Sequence, residues 1–234
     1  MKQVHRSHTR GVSKNHWLNS HHSFNFADYY KPDRIGHGQL LVLNDDIVLP
    51  SNGFGLHGHK NMEIVSIPLS GSLLHKDNMG NEHIIDTGDV QIMSAGTGIK
   101  HSEFNPSSTS IVNFLQIWIL PNTLNISPRY EQRTIDQKKL QNSFLPIVSS
   151  LKSDTDAVSI QQDAIISLSK IDEGMTISYI TQFKNSSCYF LVLEGEVNID
   201  QEHLQKKDAL PLTDVTKAEI TAITTTKLLC IETV

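Results

Sequence analysis

Cysteine is nearly absent from this 234-residue chain. Only Cys188 and Cys230 occur, both in apolar, strand-like surroundings. No disulfide framework can carry such a fold, and reduced, buried thiols are expected. Aromatic residues make up 6% and charged residues 19%, but apolar residues reach 38%, which excludes the apolar-poor profile of a disordered chain. Positive charge is not in excess: 20 basic residues face 25 acidic ones, a formal net charge of -5. Without a positive field to condense on phosphate, direct nucleic-acid binding is not expected. Long hydrophobic runs are missing too. The most apolar stretch, residues 111–120, is interrupted by Asn113 and Gln116, well short of the roughly 20 residues a bilayer span needs. The N-terminal segment is basic but no apolar region follows it, so it does not read as a secretory signal, and a cytoplasmic protein is expected.

What is present is strand-like. Residues 39–43, 63–69, 90–93 and 111–120 are short runs rich in Val, Ile and Leu, bounded by Gly, Pro, Asn, Asp or Ser. The turns between them centre on Gly53, Gly71, Gly80 and Gly88, where glycine can take the positive φ that a reversal demands. Strands at this spacing predict an all-β sandwich or barrel. The length suits either one large all-β unit or two domains of about 115 residues each.

After Pro121 the texture becomes polar. Residues 134–143 carry few apolar side chains, with Leu140 and Phe144 at i, i+4 and Pro146 as a stop, so residues 133–158 are expected to be a linker holding a short helix. Strand texture returns at residues 159–234, in 164–168, 175–180, 189–193, 196–199 and 228–231. A strand ending in glycine recurs at Gly71 and Gly195, which suggests a duplicated barrel module.

Twelve histidines are present. Those at positions 5, 8, 16, 21, 22 and 37 share no period and read as surface or local packing residues. His57-Gly58-His59 differs, because residues i and i+2 of a strand face the same side and two imidazoles then make a metal half-site. His101-Ser102-Glu103 repeats the spacing after the glycine-rich turn at residues 95–98. Should both pairs share one barrel wall, three imidazoles and a carboxylate converge. That donor set suits one divalent first-row transition ion, with positions left open for water or substrate. Spacing alone leaves the carboxylate open between Glu63, four residues beyond His59, and Glu103.

The stretch from His57 through Glu63 to Gly71, followed by residues 88–105, resembles the two motifs of the cupin superfamily. Met93-Ser-Ala-Gly-Thr-Gly-Ile-Lys-His101-Ser-Glu103, with Gln116-Ile-Trp-Ile-Leu-Pro121 and Pro128-Arg-Tyr-Glu-Gln132, resembles the pirin family in particular. Further matches lie at Asn44-Asp-Asp46 and residues 17–30, and a weaker one at residues 159–163.

The resemblance implies a bicupin: two β-barrel or jelly-roll domains, a metal-binding one at residues 1–132 and a cupin-like one at 159–234 that lacks metal ligands. It implies His57, His59, His101 and Glu103 as ligands, which decides the carboxylate for Glu103, and makes Glu63 a group that orients a histidine. The ion expected first is iron, with manganese, nickel, copper and zinc as alternatives. Several pirins act as quercetin 2,3-dioxygenases, so the resemblance implies a small aromatic substrate such as a flavonol, with Glu103 also serving as the catalytic base. Others are described as metal-bound, redox-sensing regulators that bind protein partners without turnover. Phe54, Leu56 and Met93 are candidate walls for an aromatic ligand, or ordinary core. Gly58 stands where the family commonly has proline, and Lys60 replaces a frequent arginine, a change that can alter what binds at the barrel mouth. A duplicated barrel has less need to dimerise, and a monomer is expected.

Overall fold

The computed structural model describes residues 3–234, and they form 21 strands in four sheets. Two sheets build a first barrel. The larger has seven strands in the spatial order Gly11–Lys14, Leu18–His22, Leu40–Val48, Val112–Ile119, Glu63–Ser70, Asp89–Ser94, Arg129–Thr134. The smaller has four: Gly53–His59, Ile99–Phe104, Ser72–Asp77, Glu82–Asp86. The second barrel repeats the plan. Its six-stranded sheet runs Val158–Ser159, Leu145–Ser149, Ala164–Ile171, Thr226–Thr233, Ser187–Glu194, Ala209–Thr213. Its four-stranded sheet runs Thr176–Ile180, Lys217–Ala222, Glu196–Ile199, Glu202–Gln205. The architecture is all-β, a bicupin.

The largest apolar cluster lies between the two barrels. Val65, Ile67, Ile92, Leu115 and Ile117 from the first large sheet join Ile166, Leu168, Leu191, Leu229 and Ile231 from the second, all nearly or fully buried. The strands that supply them are buried on both faces and so read as continuous apolar runs. Crossing contacts add to this core. His5 pairs with Ala209, the Arg6 guanidinium lies 2.7 Å from Asp208, and His37 Nε2 lies 3.1 Å from both the Cys188 and Leu212 carbonyls. The early histidines at positions 5, 22 and 37 are thus packing residues with partners.

The helix-bearing linker needs correction. Its helix is one 3-10 turn, Gln137–Leu140, capped by the Asp136 side chain accepting from the Lys138 N–H. Residues 145–149 and 158–159, expected in the linker, are strands of the second barrel's large sheet. Pro146 does not stop a helix there. It sits where the ladder to Ala164–Ile171 slips register, which accommodates the missing N–H.

The two barrel interiors differ. That of the second is mostly apolar, with Phe190, Val192, Val197, Ile199, Leu204, Leu228 and both free cysteines fully buried, and one buried carboxylate, Glu232, that accepts from Tyr179 and Ser186. That of the first holds histidines and carboxylates. No helix among the described residues is long and apolar enough to cross a membrane.

Candidate metal centre

Three neighbouring strands of the first barrel's smaller sheet build the site. Ile99–Phe104 lies in the middle, with Gly53–His59 on one side and Ser72–Asp77 on the other. Register does the positioning: His57 is the Cα partner of His101, and Glu103 is the partner of His75. The turn feeding the central strand depends on glycine. Gly96 has φ +46, and a Cβ there would meet the Ile126 carbonyl oxygen at 2.1 Å.

The centroids of the His57, His59 and His101 rings lie 4.5 to 5.0 Å apart. One nitrogen from each falls within 4.8 Å of the others. His57 Nδ1 is 2.8 Å from the Gly55 carbonyl, so as the N–H donor it leaves Nε2 with a free lone pair. His59 Nε2 and both His101 nitrogens are buried with no hydrogen-bond partner. Orphaned buried nitrogens are costly unless something else engages them. Burial and the neighbouring His101 and His57 rings lower the His59 pKa to about 4. Burial, His57 and His75 lower that of His101 to about 3. Both rings are therefore neutral at pH 7 and offer lone pairs. The donor chemistry fits a divalent transition ion.

Glu103 is 2% exposed and held at both oxygens, by Ser66 Oγ at 2.9 Å and by Gln116 Nε2 at 2.8 Å. Its ligand atom clusters within 4.8 Å of donors from His101 and His75, a grouping that shares His101 with the three-histidine one but includes neither His57 nor His59. His75 escapes sequence reasoning. Fully buried, it places Nε2 3.2 Å from the Asp77 carboxylate and leaves Nδ1 unpartnered. The available signal was a third i, i+2 pair, His75-Lys76-Asp77, shortly after Gly71.

Glu63 does not do what was expected of it. Its Oε2 accepts from Ser94 Oγ at 2.8 Å and from the Gln161 N–H at 3.2 Å. The first bond joins neighbouring strands of the first barrel, the second ties that barrel to the segment entering the second, and neither goes to a histidine.

A cavity of about 140 Å³ adjoins the histidines, lined by Phe26, Phe54, Trp118, Asp46, His57 and Glu103 among others. Phe54 faces it, but Leu56 is 70% exposed and Met93 is buried among Ile64, Ala95 and Ile99. The register slips between Phe54 and His57. This bulge breaks strict alternation, so Phe54 and His57 share the cavity and Leu56 turns outward. Asp46 is buried, which pushes its carboxyl pKa up to about 7, and its Oδ1 has no partner.

Comparison with known proteins agrees with this architecture. Residues 3–119 match the family model described as Pirin, and residues 147–233 match that of the quercetinase C-terminal cupin domain. The chain is 38% identical over 212 residues to a Zymomonas mobilis protein provisionally named quercetin 2,3-dioxygenase, covering 91% of this chain and 89% of that one. It is 48% identical over 136 residues to the Escherichia coli protein named quercetin 2,3-dioxygenase, covering 58% of this chain and 59% of that one. The crystal structure of YhhW from Escherichia coli matches with a TM-score of 0.95 at 34% identity, covering 100% of this chain and 98% of that one. The nickel(II) complex of bacterial pirin YhhW matches with a TM-score of 0.93 at 33% identity, covering 100% and 99%. Two duplicated barrels, a histidine cluster inside the first, and family matches that span both halves make this chain a member of the pirin family of cupins.

Proposed function

We propose that the chain is a metal-dependent dioxygenase of the pirin type, opening a flavonol such as quercetin with O2. The observation that carries this reading is the set of three mutually facing imidazoles, two of them, His59 and His101, with buried, unpartnered nitrogens, beside a cavity lined by aromatic side chains. His57, His59, His101 and Glu103 would hold the ion, with iron our first choice. A bound divalent ion would supply Lewis acidity, lowering the pKa of a hydroxyl at the site. Glu103, fixed between Ser66 and Gln116, is aimed by those two bonds and keeps lone pairs to accept the substrate hydroxyl proton. Phe26, Phe54 and Trp118 would lie against the substrate's planar surface and exclude water. The free, buried thiols of Cys188 and Cys230 fit a reducing compartment such as the cytoplasm.

One observation favours a second reading. The cavity, at about 140 Å³, is smaller than the roughly 300–1,000 Å³ usual for ligand pockets. That suits a metal-bound regulatory protein that binds a protein partner without turnover.

One experiment separates the two. Protein loaded with iron, manganese, nickel or copper is incubated aerobically with quercetin, and flavonol absorbance is followed. The dioxygenase reading expects metal-dependent decay that falls by about 100-fold or more in Glu103→Gln. No decay with any ion removes that reading in favour of the regulator.

A further inference from the structure

The cavity beside the histidines is lined by aromatic and polar side chains together. Ser20, Asn44, Asp46 and Trp118 come from strands of the larger sheet and Phe54 from the smaller, with Phe26 edge-on to Trp118 at a centroid distance of 5.6 Å. Most hydrogen-bonding capacity of the polar residues is already used. His22 Nδ1 is 2.8 Å from Asn44 Oδ1, and its Nε2 is 2.8 Å from Ser13 Oγ. Each Glu103 oxygen already accepts one bond, from Ser66 or Gln116. Asp46 is the exception. It is 3% exposed, and among the described side chains lining the cavity its Oδ1 is the buried polar atom without a partner.

Volume and chemistry restrict what can meet it. A dry protein cavity of about 150 Å³ accommodates a single benzene ring, and this one is about 140 Å³. Three fused or linked rings do not fit inside, but one does. An unsatisfied buried carboxyl oxygen is destabilising by about 1–3 kcal/mol, and a donor on that one ring would satisfy it. Water would find few of the 2–4 polar partners it needs, because Phe26, Phe54 and Trp118 line the same cavity and most polar atoms there are already bonded.

We infer that this cavity is a one-ring subsite for a phenol or catechol, in which a ring hydroxyl donates to Asp46 Oδ1 and the ring lies among Phe26, Phe54 and Trp118. The inference rests on the proposed function only in taking the cavity as ligand space, and it deepens that reading: a flavonol enters with one hydroxylated ring while the remainder stays at the mouth. Asp46 is then the residue that selects hydroxylated rings. A site built around a buried acceptor discriminates strongly against an analogue that lacks the donor.

Phenol and toluene, near-isosteres of which only the first can donate, test this by isothermal titration calorimetry on the full chain, with and without nickel(II). Wild-type protein is expected to bind phenol at least tenfold more tightly than toluene. Asp46→Leu should reverse that order, whereas Asp46→Asn, which keeps an amide oxygen, should preserve it. If the leucine variant does not fold by circular dichroism, Asp46→Ala makes the same comparison. No phenol binding by wild type, or an unchanged phenol-to-toluene ratio in the folded apolar variant, overturns the inference. The outcome is separable from quercetin turnover. Phenol selectivity that depends on Asp46 without any flavonol decay leaves the subsite standing and removes the dioxygenase, and decay without that selectivity does the reverse.

Discussion

His57 and His101 are Cα partners across two antiparallel strands, and their imidazole centroids lie 4.5 Å apart. Ladder register, with no loop between them, brings the two sequence-distant pairs together. A donor set built on adjacent strands is pre-organised, so little ordering of side chains opposes ion binding.

Metal binding should therefore collapse on removal of the central ring. Wild-type protein is expected to hold about one equivalent of nickel(II), and His101→Ala to bind it more weakly by over 100-fold, beyond the roughly 10–100-fold that changes around a ligand cause. Elemental analysis after gel filtration, with calorimetric titration, measures this. His203→Ala, on an exposed histidine beside Glu196 in the second barrel, should change nothing. Equal metal content in wild type and His101→Ala would show the ion sits elsewhere.

Glu63→Gln distinguishes the observed role of that carboxylate from the expected one. Its bonds hold Ser94 within the first barrel and Gln161 at the entry to the second, and touch no histidine. Nickel affinity should stay within about twofold, while stability falls by about 1–3 kcal/mol, the cost of disturbing a buried hydrogen-bonded acceptor. Urea denaturation reads the second and titration the first. A tenfold loss of affinity with unchanged stability would restore Glu63 to the metal's surroundings.

The contrast between Glu63 and Glu103 marks where sequence stops informing. His57-Gly58-His59 and His101-Ser102-Glu103 were legible because strand alternation is local: i and i+2 face together whatever the tertiary fold. The all-β class and the duplication were legible from apolar runs and glycine turns. His75 was not, because a single histidine acquires meaning only when register sets it opposite Glu103. Leu56 was misplaced for a related reason, a bulge between Phe54 and His57 that no composition signals. Residues 145–149 looked like linker because Pro146 was weighed as a stop, while the apolar side chains of Leu145, Ile147 and Val148 pack into the shared core.

Acid should loosen the contact between the N-terminal segment and the second barrel. His5 lies against Tyr189, with Nδ1 3.1 Å from the phenol oxygen. Burial, then Arg34 and His37, lower its pKa from the ordinary 6.5 to about 4, with Asp33 opposing. Burial also lowers that of His37, against the hydrogen bonds its ring donates to the Leu212 and Cys188 carbonyls. Between pH 6.5 and about 4 the unfolded chain binds protons that folded His5 refuses. Its contribution is thus fully present above pH 6.5 and lost as pH falls toward 4. Urea midpoints measured across that window should drop for wild type. The drop should be shallower for His5→Phe, whose ring sits with Phe24 and Tyr189 without taking a proton. An identical slope in both would place the acid sensitivity in other groups.

The shared core between the barrels predicts how the chain unfolds. Leu191 is 1% exposed and belongs to the second barrel, yet its cluster includes Leu115, Ile117 and Val65 of the first. Loss of its side chain leaves a cavity against both large sheets, and Leu191→Ala should cost about 2–5 kcal/mol. The first barrel's metal centre should report that loss, because that barrel's large sheet packs in the same apolar cluster. The midpoint of metal release during denaturation should therefore shift to lower urea together with the midpoint of far-ultraviolet signal, as a single transition. Phe190→Leu is the contrasting change. Phe190 points into the second barrel's own apolar interior with Val192 and Leu228, and its strand neighbour Leu191 faces the opposite way. If the barrels are coupled through the interface, both variants lower one common transition. Two separated transitions in Leu191→Ala, with metal release unmoved, would mean that each barrel is stable alone and that the interface apolar surface is dispensable to the site.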